Sequence, residues 1–136
     1  VKRRAGAAIL IALAFAGGTL AGCSSTEGET CDGGPSPATA DEAIRGLIAA
    51  AQTQDPGQAC KFATNSVTDE QMVDALAGLS KQLDQLNVDA HSALIREGEQ
   101  GGSLIPAEVY GPTGPETPIE LDVLSIRDEG YRVFFP

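Results

Sequence analysis

Ile119-Glu120-Leu121-Asp122-Val123-Leu124-Ser125-Ile126-Arg127-Asp128-Glu129-Gly130-Tyr131-Arg132-Val133-Phe134-Phe135 carries the clearest fold signal in the chain. Apolar side chains alternate at Ile119, Leu121 and Val123, after which Leu124 and Ile126 take over in the opposite phase. That pattern predicts a half-buried strand with a bulge near Val123-Leu124. Asp128-Glu129-Gly130 is a short loop with glycine where a positive φ is required, leading into Tyr131, Val133 and Phe135 as a second strand. The chain therefore closes on an antiparallel hairpin.

Upstream of the hairpin, Leu104–Tyr110 is strand-like but contains Pro106, which predicts an edge position or a bulge because proline cannot donate to a ladder. Residues 88–97 either continue the preceding helix as far as Gly98 or form a first strand, and the strand reading is taken. Helices come earlier. Thr39-Ala40-Asp41-Glu42 is a capping box, followed by Ala40, Ala43, Ile44, Leu47, Ile48 and Ala51 on one stripe that ends near Gln54. Asp55 before Pro56 predicts a cap and a short second helix over residues 57–63, carrying Cys60 and Phe62 inward. Thr68-Asp69-Glu70-Gln71 is a second capping box, and behind it Met72, Leu76, Leu79, Leu83 and Leu86 step by four and three. Such a seam serves either a coiled-coil partner or a core, and it is too short to argue strongly for the former. Helices first and strands afterwards predict an α+β domain with the helices on one face of an antiparallel sheet.

Two of these features together resemble nuclear-transport-factor-2-like (cystatin-like) domains of small bacterial envelope lipoproteins. They are the Asp55-Pro56 turn leading to Ala59-Cys60, and the hairpin Leu124-Ser125-Ile126-Arg127-Asp128-Glu129-Gly130-Tyr131-Arg132-Val133, whose last strand has an aromatic, a basic residue and a valine. The resemblance implies a curved sheet and a cone-shaped fold that often encloses a cavity. Pro106 and the loop of residues 111–118 depart from it.

The N-terminus carries an address. Lys2, Arg3 and Arg4 precede an apolar run and small residues ending in Leu20-Ala21-Gly22-Cys23, the pattern of a secretory signal. The last four residues resemble the bacterial lipobox, which implies a thioether-linked diacylglycerol on Cys23, cleavage after Gly22 and further acylation of the new amino-terminus. An uncleaved membrane helix is the alternative, but the Ala- and Gly-rich run is weakly hydrophobic for a permanent span. Two acyl chains suffice for stable anchoring to membrane lipid. The expected organisation is a signal peptide at residues 1–22, a lipidated tether at 23–38 and a domain at 39–136, on the extracytoplasmic face of the cell membrane. Of the 3 cysteines, Cys31 and Cys60 are left once Cys23 is lipidated, and in an oxidising compartment an even number predicts one disulfide.

Composition excludes some functions. The 136 residues leave room for one small domain, and a net charge of −10 repels a phosphate backbone, so nucleic acid is not an expected partner. Removing Lys2, Arg3 and Arg4 makes the balance more acidic still. No Gly-x-Ser-x-Gly elbow, calcium loop or phosphate-cradling glycine loop occurs, so no catalytic residue, metal or cofactor is predicted. The one histidine, His91, reads as incidental. Tyr110, Tyr131, Phe134 and Phe135 concentrate the aromatics near the end of the chain, and Tyr110, Tyr131, Phe135 and His91 are the candidate pocket residues. The expected function is a membrane-anchored module that binds an envelope partner protein or a small apolar ligand. A small acid–base enzyme working in the cavity and a structural subunit of an envelope complex are the alternatives.

Overall fold

The computed structural model describes residues 35–64, 69–113 and 117–134. The signal peptide, Cys23, Cys31, Thr68 and Phe135 lie outside the described residues. Three helices are followed by a four-stranded antiparallel sheet in the order β1-β2-β3-β4.

Helix α1 (Ala40–Thr53) starts where the capping box places it. The Thr39 hydroxyl accepts from the Glu42 N–H at 3.1 Å, while the Glu42 carboxylate takes the N–H of Ala38, one residue upstream of the cap. The helix stops at Gln54, whose left-handed φ of 52° turns the chain, and whose side-chain amide reaches the Leu76 carbonyl on a neighbouring helix. Helix α2 (Pro56–Ala59) is capped by Asp55 and is shorter than the expected 57–63, because Cys60 to Phe62 form turns. Helix α3 (Asp69–Leu86) buries Met72, Leu76, Leu79, Leu83 and Leu86, so the seam is core. These side chains meet Ile44, Leu47 and Ile48 from α1 and Val109, Val123 and Val133 from the sheet.

After α3 the chain turns at Asn87 and enters β1 (Leu94–Glu97), so the strand reading of residues 88–97 holds only for their end. The turn is organised by Asp89, whose carboxylate accepts the N–H groups of His91 and Ser92, both at 2.8 Å. Strand β2 (Leu104–Tyr110) lies inside the sheet between β1 and β3 (Ile119–Ile126), and β4 (Gly130–Phe134) follows β3. An inner strand tolerates Pro106 for a geometric reason. The Pro106 carbonyl accepts from the Gly98 N–H at 2.8 Å, so its nitrogen also faces the β1 side, one step beyond the end of β1 at Glu97. The one bond proline removes is the reciprocal one to the Gly98 carbonyl, beyond the last β1 residue, and the β2–β3 ladder is untouched.

Two expectations are overturned. The register of β3 runs unbroken against both neighbours, from Leu104↔Leu124 to Val109↔Ile119 and from Asp122↔Phe134 to Ile126↔Gly130, so there is no bulge at Val123-Leu124. The change of apolar phase reflects a strand with apolar residues on both faces: Ile119 and Val123 are buried under the helices, and Leu124 and Ile126 are half-buried on the opposite face. The sheet is also neither closed nor curled, which overturns the curved nuclear-transport-factor-2-like (cystatin-like) architecture and leaves an open α+β layer pair. Sheets curl around bulges and glycine kinks, and the continuous register of β3 supplies neither.

Candidate functional site

The residue alternation of the sheet separates the candidate pocket residues. Tyr110 is opposite Leu94 on the face away from the helices, whereas Tyr131 is opposite Ser125 on the helix-covered face, where it packs against the core. His91 sits exposed in the turn before β1, and Phe135 is outside the described residues. Tyr110 and Tyr131 therefore stand on opposite faces of the sheet.

Tyr110 belongs instead to a surface groove of about 350 Å³ at the end of β1 and β2, lined by Leu94, Ile95, Arg96, Tyr110, Gly111 and Pro112. Its hydroxyl donates to a Glu108 carboxylate oxygen at 2.6 Å, and the Arg96 guanidinium carbon lies 5.4 Å from its ring centroid. The bond to Glu108, followed by desolvation, holds the phenol above its ordinary pKa, so Tyr110 stays a neutral donor. Glu108 in turn stands opposite Arg96 in the β1–β2 register. The arrangement fixes the ring as a rigid wall.

A second groove, of about 670 Å³, lies where residues 35–37 meet α1. Its floor is the Phe62 ring, which lies so close over Gly46 that a Cβ at that position would strike it. Arg45 at its rim is already engaged, with Nε on Asp41 and Nη1 on the Ala90 carbonyl, both at 2.7 Å. Lys61 and Glu42 complete the lining with opposite charges.

Buried polar chemistry is structural. Among the described residues the buried polar side chains are Thr64 and Arg132, the latter 9% exposed. Arg132 donates through Nε to the Ser36 hydroxyl and through Nη1 to the Cys60 carbonyl, both at 2.9 Å, so its charge is placed on carbonyls that follow α2. Among the described residues no group of His, Cys, Asp and Glu could hold a metal ion. Nor is any described helix long and apolar enough to cross a membrane. The expected partner of Cys60 in a bridge, Cys31, lies outside the described residues, among which no two sulfurs stand at bonding distance. Cys60 itself is disulfide-bonded.

Sequence reasoning missed the uncovered sheet face. Among the described residues the helices pack on one side only, and on the other Leu94, Leu104 and Phe134 are 57%, 40% and 45% exposed, flanked by Leu124 and Ile126. The available signal was the apolar content of both phases in β3, at Val123 and at Leu124 and Ile126. No family model, curated protein or solved structure matches the chain.

Proposed function

We propose that this protein is a lipid-anchored, extracytoplasmic interaction module, held to the membrane through acylated Cys23 and presenting its domain to a partner protein. One observation carries the binding half of this reading: the sheet face away from the helices leaves Leu94, Leu104 and Phe134 exposed on a domain whose other face is sealed by α1 and α3. Large apolar side chains held in solvent on a rigid sheet have their natural use in a contact. Acid–base catalysis has less support, since His91 stands in solvent and the buried polar side chains, Thr64 and Arg132, are bonded within the fold.

The anchoring half rests on the sequence Leu20-Ala21-Gly22-Cys23 behind a basic and apolar leader. A tether of a dozen residues spans about 20 Å root-mean-square, enough to hold the domain clear of the headgroups. The acidic balance favours the same standoff from an anionic lipid surface. Intact mass spectrometry of the membrane fraction tests the anchor. The expected species begins at Cys23 and carries diacylglycerol, while Cys23→Ser yields an unlipidated chain. A native species that retains residues 1–22 without acylation overturns the anchor.

A further inference from the structure

One edge of the sheet is closed and the other is open. Along β4 the Tyr131 N–H donates to the Pro37 carbonyl, the Val133 N–H to the Phe62 carbonyl, and the Val133 carbonyl accepts from the Thr64 N–H, so that edge is covered by other parts of the chain. Strand β1 has no such cover among the described residues. Its residues Leu94 and Arg96 face β2 in the hydrogen-bonding phase shared with Gly98, which leaves the N–H and C=O groups of Ile95 and Glu97 directed outward. Among the described residues those groups meet no backbone partner.

Such an edge is a template for an added strand. Three features define what it would take. First, the groove of Leu94, Arg96, Tyr110 and Pro112 adjoins the edge on the uncovered face, so every second side chain of an added strand would fall on a wall that includes a clamped aromatic ring. Those side chains should be apolar. Second, the intervening side chains would fall on the opposite side of the edge, where Glu97 is exposed and Glu99 follows it; those should be basic. Third, the chain itself is acidic, with a net charge of −10, which disfavours a second copy as the occupant.

We propose that β1 accepts an extended segment of a partner protein, alternating apolar and basic residues, as a fifth strand of the sheet. This rests on the interaction-module reading and names the place and chemistry of its contact. The affinity comes from main-chain bonds to Ile95 and Glu97, the register from the groove beside Tyr110, and the charge preference from Glu97 and Glu99.

The test uses the full chain in detergent micelles and two synthetic octapeptides, alternating Val-Lys and alternating Val-Glu. Val-Lys should bind and slow amide hydrogen exchange at Ile95 and Glu97 by about tenfold or more, and Val-Glu should bind about tenfold more weakly. Glu97→Pro removes an outward N–H without touching the β1–β2 ladder and should weaken Val-Lys binding about tenfold. Glu97→Lys leaves the backbone intact and should narrow the preference for Val-Lys over Val-Glu, which guards against a misfolded proline variant. Equal affinity in Glu97→Pro, equal affinity for both peptides, or no binding of Val-Lys overturns the proposal. Protection at Leu104 and Phe134 in place of Ile95 and Glu97 overturns the edge but leaves the interaction module standing. A concentration-dependent dimer that Glu97→Pro abolishes gives the edge to a second copy and overturns the basic partner.

Discussion

The two edges of this sheet are built from strands of similar length and have opposite fates. The β4 edge is sealed by two distant pieces of chain, the segment at Ser36-Pro37 and residues 62–64, while β1 ends the sheet with a short strand carrying Arg96 and Glu97. Sealing requires specialised residues. Gly130 has a φ of 118° and sits so close to Pro37 that a Cβ there would strike its carbonyl, and Arg132 reaches across the edge to Ser36 and Cys60. The open edge has a different protection, since brevity and charge discourage indiscriminate pairing without using up the backbone groups. A closed edge is thus a stability element, and an open one is available for recognition.

Substitutions can break that contrast. The largest effect should come from Arg132→Ala, which leaves the Ser36 hydroxyl and the Cys60 carbonyl without their donor. A loss of about 3 kcal/mol in urea unfolding is expected. A loss below about 0.5 kcal/mol, the range of an ordinary surface change, would mean that the sealed edge contributes little. Gly130→Ala comes next, at about 2 kcal/mol, because a Cβ is strained at that φ and must also displace Pro37. The same equilibrium measurement checks it, and residues 36–37 should become more susceptible to limited proteolysis in the variant. At the open edge, Glu97→Pro should cost about 1 kcal/mol or less, since the lost N–H points to solvent. If its cost matched that of Gly130→Ala, β1 would have to be paired on both sides.

The smallest effect concerns the turn that introduces β1. Bonds from the Ser92 and His91 N–H groups hold the Asp89 carboxyl below its ordinary pKa of 3.8. A group depressed in the folded state stabilises fully above its unfolded pKa and loses that contribution as pH falls through the folded one. The stability gap between the native chain and Asp89→Ala should therefore be constant near neutrality and shrink as pH falls below 3.8. Unfolding midpoints at pH 7 and in the acid range would show it, and a gap that persists in acid would mean the carboxylate does not hold the turn.

Legibility differed in the same way between local and distant features. The cap at Thr39 and Glu42, the Asp55-Pro56 turn and the glycine of the last hairpin could be read because each is settled by residues a few positions apart. Pro106 misled, because its nitrogen faces the end of β1 and not the β3 ladder, and that depends on where β1 ends. The separation of two candidate pocket residues was hidden for a related reason. Tyr110 and Tyr131 look equivalent as late aromatics, but the registers of β2 against β1 and of β4 against β3 put them on opposite faces. Leu124 and Ile126 suggested a bulge when they were the apolar half of the face away from the helices.

What the amino-acid order determined by itself was the set of elements: the capped first helix, the seam from Met72 to Leu86, the closing hairpin and the α+β class. Helical periodicity, caps and turns are short-range, so their energies are present in any local reading of the chain. Only the tertiary structure decided the open sheet, the bonding of Arg132 to the distant Ser36 and Cys60, and which edge the described residues leave unpaired. Those outcomes depend on which distant strands and loops satisfy one another's backbone groups, and that choice is made between segments that carry no local trace of each other.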